Sequence, residues 1–134
     1  TISCSYHFSK YELQVLRKTF KKLRIGISIN PENFNLQYIK NIKNLINVIY
    51  FDMNVYKKSS IKTYSINKCI KQIEFIKNLS IPVFIGGAIN ESKAKHIINL
   101  LQPDGIDVSR SLKSTKNIIS SKKLKKFLKE IAVA

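Results

Sequence analysis

Short runs of β-branched and aromatic residues alternate along this chain with longer segments whose apolar residues recur at helical spacing. Arg24 to Ile29 is the first clear run. Asn30-Pro31-Glu32 follows it and reads as an N-cap with proline at the first helical position. Leu36, Ile39, Ile42 (or Lys43) and Ile46 then mark one face of a helix. Asn47 to Phe51 is nearly continuous in apolar residues, as strands buried on both faces are. A polar stretch from Asp52 to Tyr64 leads to a helix carrying Ile66, Ile70, Ile73 and Ile76. Ile81 to Ile85 is a third strand, with Pro82 near its start, where a missing donor does least harm. Gly86-Gly87 turns the chain, Asn90 caps a helix striped by Ala94, Ile97, Ile98 and Leu101, and Asp104 to Val108 forms a short fourth strand. The last helix carries Leu124, Phe127, Leu128 and Ile131 behind a cap at Ser120 or Ser121. At the other end Ser9-Lys10-Tyr11-Glu12 has the form of a capping box, opening a helix with Leu13, Leu16, Phe20 and Leu23 inward. Ile2 to Ser5 fits a strand before it.

Four or five βα units in succession, joined by mostly short loops, predict an α/β fold with a parallel sheet and right-handed crossovers. Doubly wound sheets and barrels both fit this pattern. At 134 residues a single domain is expected, spanning 1–134. No apolar run approaches the roughly 18 to 20 residues of a membrane span. Thr1 to His7 has no long apolar segment of the signal-peptide kind. Two cysteines, Cys4 and Cys69, cannot make a disulfide framework, and with only His7 and His96 beside them they argue against zinc. A soluble cytoplasmic domain without metal or other cofactor, and without a membrane partner, is the expectation.

The formal charge of +16 changes this picture less than its size suggests. Lys (21), Ile (22) and Asn (12) make up 55 of 134 residues, against 4 Ala and 4 Gly. These are the residues of A/T-rich codons, so the basicity reads as drift in an AT-rich genome. A nucleic-acid surface would favour arginine forks, clustered charge and exposed aromatics. The lysines here are spread over every predicted helix, and no nucleic-acid partner is expected. An anionic small molecule would still be drawn to such a surface.

In parallel α/β folds ligands bind at the carboxyl ends of the strands, which singles out three loops. Gly86-Gly87-Ala88-Ile89-Asn90 either brings backbone N–H groups to an anion or is an ordinary tight turn. Asp107-Val108-Ser109-Arg110-Ser111 sets two hydroxyls and a guanidinium in a row, a set suited to phosphate. Two such loops ending the last two strands of the chain match the common phosphate position of (β/α)8 barrels. Asp52 ends the second of the central strands, where apolar walls would raise its pKa for general-acid work, or else it caps the loop. Lys57, Lys58 and Lys62 after it read as a mobile lid over an anion or as solvated side chains. His96 reads as a surface residue, Cys69 as core, and Cys4 with His7 lacks a third member for a triad.

Taken together these residues resemble phosphoribosylanthranilate isomerase, a (β/α)8 TIM-barrel enzyme of tryptophan biosynthesis. Phe84-Ile85-Gly86-Gly87-Ala88-Ile89-Asn90 and then Gly105-Ile106-Asp107-Val108-Ser109-Arg110-Ser111-Leu112-Lys113 are similar to its last two strand–loop segments. Ser120 to Ile131 follows in register with its final helix. Upstream, Ile49-Tyr50-Phe51-Asp52 is similar to its sixth strand, and Ile61-Lys62-Thr63 falls near the Gly-Lys-Thr of the next loop. The resemblance implies that 1–134 is the C-terminal part of such a barrel, its last four or five βα units. It implies an aldose–ketose isomerase acting on N-(5-phosphoribosyl)anthranilate by an Amadori rearrangement. Asp52 would then be the general acid. Gly87, Ala88, Ser109, Arg110 and Ser111 would line the substrate phosphate, with Asp107 on the ribose or anthranilate side.

The sequence also departs from that pattern. Ala88 stands where the turn has a second glycine, Arg110 and Ser111 where it has Ser-Gly, and Lys113 where it has an acidic residue. The Lys-Ile-Cys-Gly strand that carries the family's catalytic cysteine does not occur. A missing N-terminal segment or a partner chain is therefore expected to complete the barrel. Two alternatives follow. Gly26-Ile27-Ser28-Ile29-Asn30-Pro31 resembles a ribulose-phosphate 3-epimerase, another phosphosugar enzyme. The other alternative is a non-catalytic remnant that binds only an anion or a partner subunit.

Overall fold

The computed structural model describes residues 2–5, 8–57, 60–115 and 117–132, with the side chains of 2–5, 56 and 57 excepted. Seven strands and five α-helices follow one another in this order: β1 (Ile2–Ser5), α1 (Lys10–Thr19), β2 (Ile25–Ile29), α2 (Leu36–Ile42), β3 (Val48–Asp52), β4 (Asn54–Lys57), β5 (Ser60–Thr63), α3 (Ile66–Asn78), β6 (Val83–Gly86), α4 (Glu91–Leu101), β7 (Gly105–Ile106) and α5 (Ser121–Ile131). A 3-10 turn, Arg110–Leu112, lies between β7 and α5. Strands β1-β2-β3-β6-β7 form one sheet in that order, and every neighbouring pair is parallel. The expected fold class is thus observed, five βα units of a (β/α)8-type layer.

Alternation along each strand divides the sheet into two unlike faces. Ile25, Ile27 and Ile29 of β2, Ile49 and Phe51 of β3, and Val83 and Ile85 of β6 are all buried on one face. They share a single core with Leu13 of α1, Ile39 and Ile42 of α2, Ile73 and Ile76 of α3, Ala94, Ile97 and Leu101 of α4, and Phe127 of α5. All five helices therefore cover this one face. The register sets Ser28 beside Tyr50 and Tyr50 beside Phe84 on the other face. Their rings meet edge to face, 5.6 Å between centroids at 79°. A Cβ on Gly26 would stand 2.6 Å from the Tyr50 ring, and one on Gly105 would stand 2.8 Å from the Phe84 ring. Glycine at both flanks lets the two aromatics lie over the sheet.

Several sequence expectations are corrected by the fold. No helix starts at Pro31. Asn30 Oδ1 accepts from the N–H groups of Glu32 and Asn33 in a closed turn, and α2 begins at Leu36 behind the cap Asn35. The polar stretch after Asp52 is an antiparallel hairpin, β4 with β5, because Val55 and Met53 find burial there that the polar composition conceals. Lys58 lies outside the described residues, and Lys62 sits over the Tyr64 ring at 4.6 Å instead of over a cavity. Phe20 and Leu128, placed inward by spacing, are 56% and 51% exposed. The fourth strand shrinks to Gly105–Ile106. The capping box at Ser9 and Glu12, the caps Asn90 and Ser120, buried Cys69 and exposed His96 stand as read. His7 lies outside the described residues.

At the end of the sheet opposite the strand mouths, Arg17 ties α1 to the neighbouring loops. Its Nε donates to Leu45 O and its Nη1 to Leu23 O, each at 2.7 Å, while Nη2 donates to Asn47 Oδ1 at 2.6 Å. Asn47 Oδ1 also accepts from Ile25 N, so one guanidinium holds the entries of β2 and β3 together. Removing it leaves two carbonyls and a side-chain amide short of partly buried donors. Arg17→Ala is expected to cost about 3 kcal/mol. Arg17→Lys, which cannot fork, should recover less than half of that. Urea denaturation with an unchanged m value is the measurement.

Candidate active site

The parallel register sets Asp52, at the end of β3, directly beside Gly86, at the end of β6. Met53 N donates to Gly86 O at 3.0 Å and Asp107 N donates to Ile85 O at 2.8 Å, so the three strand mouths are stitched edge to edge. Above them opens a cavity of about 230 Å³. Asp52, Gly87, Ala88, Asp107, Ser109, Arg110 and Ser111 all line it, joined by Asn54, Ile89 and Asn90. Every residue singled out from the sequence as a candidate site residue thus meets at one mouth, although they span 60 positions of chain. His96 and Cys69 stand apart from it.

Gly87 makes this convergence possible. Its φ of +101° is open to glycine, and a Cβ there would lie 2.5 Å from Asp52 Oδ1, 2.7 Å from Met53 N and 2.8 Å from Asn54 N. Gly86 is less constrained, since its Cβ would meet Asp107 at an ordinary 3.4 Å. Ala88 also has a positive φ, 50°, a left-handed conformation that costs a non-glycine residue about 1 kcal/mol. Strain of this kind is characteristic of functional loops.

Asn54 is the residue that sequence reasoning missed. It is 1% exposed, at the start of β4. In the amide orientation that satisfies its neighbours, Oδ1 accepts from Arg110 Nη2 at 2.7 Å and from Ala88 N at 3.3 Å, while Nδ2 donates to Thr63 Oγ1 at 2.8 Å. One buried amide therefore fixes the arginine, the glycine turn and the hairpin relative to one another. Its only sequence signal was a polar residue two positions after Asp52.

The electrostatics single out Asp52. Burial pushes the Asp52 carboxyl above its ordinary range, and the charge of Asp107 adds to that. A hydrogen bond from Asn54 N, 2.9 Å to Asp52 Oδ1, and the Arg110 guanidinium work against the rise without cancelling it. Such a carboxyl holds its proton at higher pH than a surface aspartate does. Ser111 Oγ is out of contact with solvent and has no hydrogen-bond partner among the described residues. Cys69 is no candidate base, since burial within the helix layer pushes its thiol up to about 11. Among the described residues no three His, Cys, Asp or Glu side chains come together as metal ligands.

A carboxyl, a guanidinium and two hydroxyls gathered at the mouths of the last strands of a parallel layer define a class of fold, a section of a (β/α)8 barrel. No family model matches the sequence, and no curated protein is similar to it in sequence. Solved structures place the fold. N-(5'-phosphoribosyl)anthranilate isomerase from Pyrococcus furiosus superposes with a TM-score of 0.69 over 99% of this chain and 62% of its own, at 16% identity. Thiamine phosphate pyrophosphorylase from Pyrococcus furiosus gives 0.63 over 98% and 56%, at 15% identity. The mutually generated monomer of the dimeric Thermotoga maritima phosphoribosylanthranilate isomerase gives 0.63 over 98% and 61%, at 14% identity. The chain spans less than two thirds of each of these structures. No helix among the described residues is long and apolar enough to cross a membrane.

Two measurements check this geometry. Gly87→Ala forces the loop off Asp52 and is expected to cost about 2 to 3 kcal/mol, against under about 1 kcal/mol for Gly86→Ala. Paired thermal melts give the comparison. Asp52→Asn tests the raised carboxyl. A carboxyl whose pKa is raised by folding stabilises the native state below its unfolded value and loses that contribution as pH rises through the folded value. The variant should therefore be more stable than the parent at neutral pH and lose that advantage below about pH 3.9. Equal pH profiles would show that the carboxyl is unperturbed.

Proposed function

We propose that this mouth binds a phosphosugar and performs the isomerisation of N-(5-phosphoribosyl)anthranilate to its 1-deoxyribulose form. The observation that carries the reading is the placement of Asp52, whose carboxyl burial pushes above its ordinary range, at the end of β3 in one cavity with Ser109, Arg110 and Ser111. Isomerases of this name are also among the structures on which the chain superposes. The phosphoryl group lies against the Arg110 guanidinium and the hydroxyls of Ser109 and Ser111, charge-assisted donors to an anion. Ser111 Oγ, without a hydrogen-bond partner among the described residues, gains an acceptor there. The Gly87-Ala88 backbone can approach closely because Gly87 carries no side chain.

Phosphate held at the last strands leaves the ribose toward Asp52. Its carboxyl donates a proton to the ring oxygen as the C1–O bond breaks, and the nitrogen lone pair forms an iminium at C1. Loss of the C2 proton to a base gives the enolamine, which becomes the ketone on gaining a proton at C1. No atom is gained or lost, so no redox partner is required. Asp107, facing the same cavity, contacts the ribose or anthranilate side.

Titration with inorganic phosphate and with N-(5-phosphoribosyl)anthranilate tests the site. Arg110→Gln should weaken both by roughly tenfold or more, the worth of one charge-assisted hydrogen bond. Asp52→Asn should bind both with little change and convert nothing. Binding of both ligands without conversion by the parent chain would assign the site to anion recognition alone. Binding of neither would remove the reading.

A further inference from the structure

We propose that a second cavity, between the end of the β4–β5 hairpin, the start of α3 and one face of α4, binds a small monocarboxylic acid with an apolar body. Its volume is about 450 Å³, and it shares no lining residue with the mouth cavity. Sites for small molecules have this size and are mostly apolar, with a few polar groups that fix orientation. The proposal is independent of the isomerase reading.

Local structure gives the cavity that character. Tyr64 N donates to Met53 O at 2.8 Å, which closes the base of the hairpin and leads the chain directly into α3. Buried Met53 and Ile97 and half-buried Tyr64 and Ile66 supply apolar lining. The Tyr64 hydroxyl donates to Glu32 Oε1 at 2.9 Å and is already used. On α4, Lys93, His96 and Ile97 recur at i, i+3 and i+4, so they share one face of the helix. Lys93 and His96 are exposed and line the same cavity as the buried Ile97. Lys93 Nζ donates to Ala88 O at 3.2 Å. An ammonium has three donors, so it can hold that carbonyl and a carboxylate together. Among the described residues no Asp or Glu lines the cavity.

These features select the occupant. A cation would meet an ammonium and no carboxylate. A phosphate would lose hydration against apolar walls that return nothing for it, whereas the mouth cavity offers a guanidinium and two hydroxyls. A neutral apolar molecule would use the walls and gain nothing from the charge of Lys93. A monocarboxylate with an apolar body uses both. Its body is buried against Met53, Ile66 and Ile97, and its head accepts from Lys93 Nζ and from an N–H of His96, which the imidazole carries whether neutral or charged.

The test uses 3-phenylpropionate as the probe and 3-phenylpropanamide as its neutral counterpart, each titrated into the isotope-labelled chain and followed by amide resonances. The acid is expected to bind with a Kd of about 1 mM, as suits so small a ligand. It should move the resonances of residues 63–66 and 93–97 and leave those of Gly87 and residues 109–111 in place. The amide should bind about fivefold more weakly, the upper worth of one exposed ion pair. Lys93→Gln should weaken the acid by the same factor and leave the amide unchanged, and Lys93→Arg should restore the preference. Lys93 is exposed, so neither variant puts folding at risk. Shifts centred on Gly87 and residues 109–111, equal affinity for acid and amide, or no shift at roughly ten times the expected Kd would each overturn the proposal. So would an equal loss of both ligands in Lys93→Gln, which marks a merely structural role. Every readout is independent of turnover and of phosphate binding, so failure at the mouth cavity would refute only the isomerase reading.

Discussion

The contact between the backbone of Gly87 and the turn Asp52-Met53-Asn54 is the constraint on which the candidate site depends. The parallel register already brings Asp52 and Gly86 side by side, but a side chain at the next position would hold the loops apart. With hydrogen alone at Cα, the loop after β6 lies against the loop after β3, and Asn54 becomes buried beneath it. From there its amide reaches Ala88 and Arg110, so the third mouth is tied to the other two. The Asp52 carboxyl and the Ser109-Arg110-Ser111 turn thus share a cavity through one glycine and one buried amide.

Most of the fold was legible because its signals are local. Capping boxes, Asn and Ser caps, and isoleucines at strand or helix spacing depend on neighbours within a turn. The loops that would bear chemistry were legible for the same reason, since strand ends in a parallel layer fall on one rim whatever the details. What was not legible depended on distant partners. The hairpin β4–β5 is mostly polar and earns its place through Met53, Asn54 and Val55, whose burial comes from elements far away in sequence. Pro31 imitates a helix start because an Asx turn and an N-cap use the same residues. Phe20 and Leu128 follow the inward stripe of their helices, yet burial also requires a neighbour on that side.

The charge distribution separates drift from design. Only 8 of the 134 residues are acidic, against 24 lysines and arginines, so a carboxylate nearly anywhere on this surface would find favourable company. Two of the eight, Asp52 and Asp107, instead line one small cavity, where burial and mutual repulsion raise Asp52. Stability alone does not favour that placement. Left-handed backbone also occurs at Ser80, Gln102 and Asn117, and Gln72 Oε1 is likewise buried without a partner among the described residues, so it is the raised carboxyl of Asp52 that sets this rim apart.

The two faces of the sheet contribute differently to that rim. The helix-side core is continuous from Leu13 to Phe127 and draws on all five helices. Asp52, Gly87, Asp107 and Arg110 hang from β3, β6 and β7 through backbone bonds that this core positions. Their mutual geometry is therefore set by the helix side. The inner face, with Ser28, Tyr50 and Phe84 over flanking glycines, governs instead what lies beneath the cavity and how far it is closed to water. A change on the helix side should move the site residues relative to one another. A change on the inner face should leave their spacing alone and alter the dielectric around Asp52.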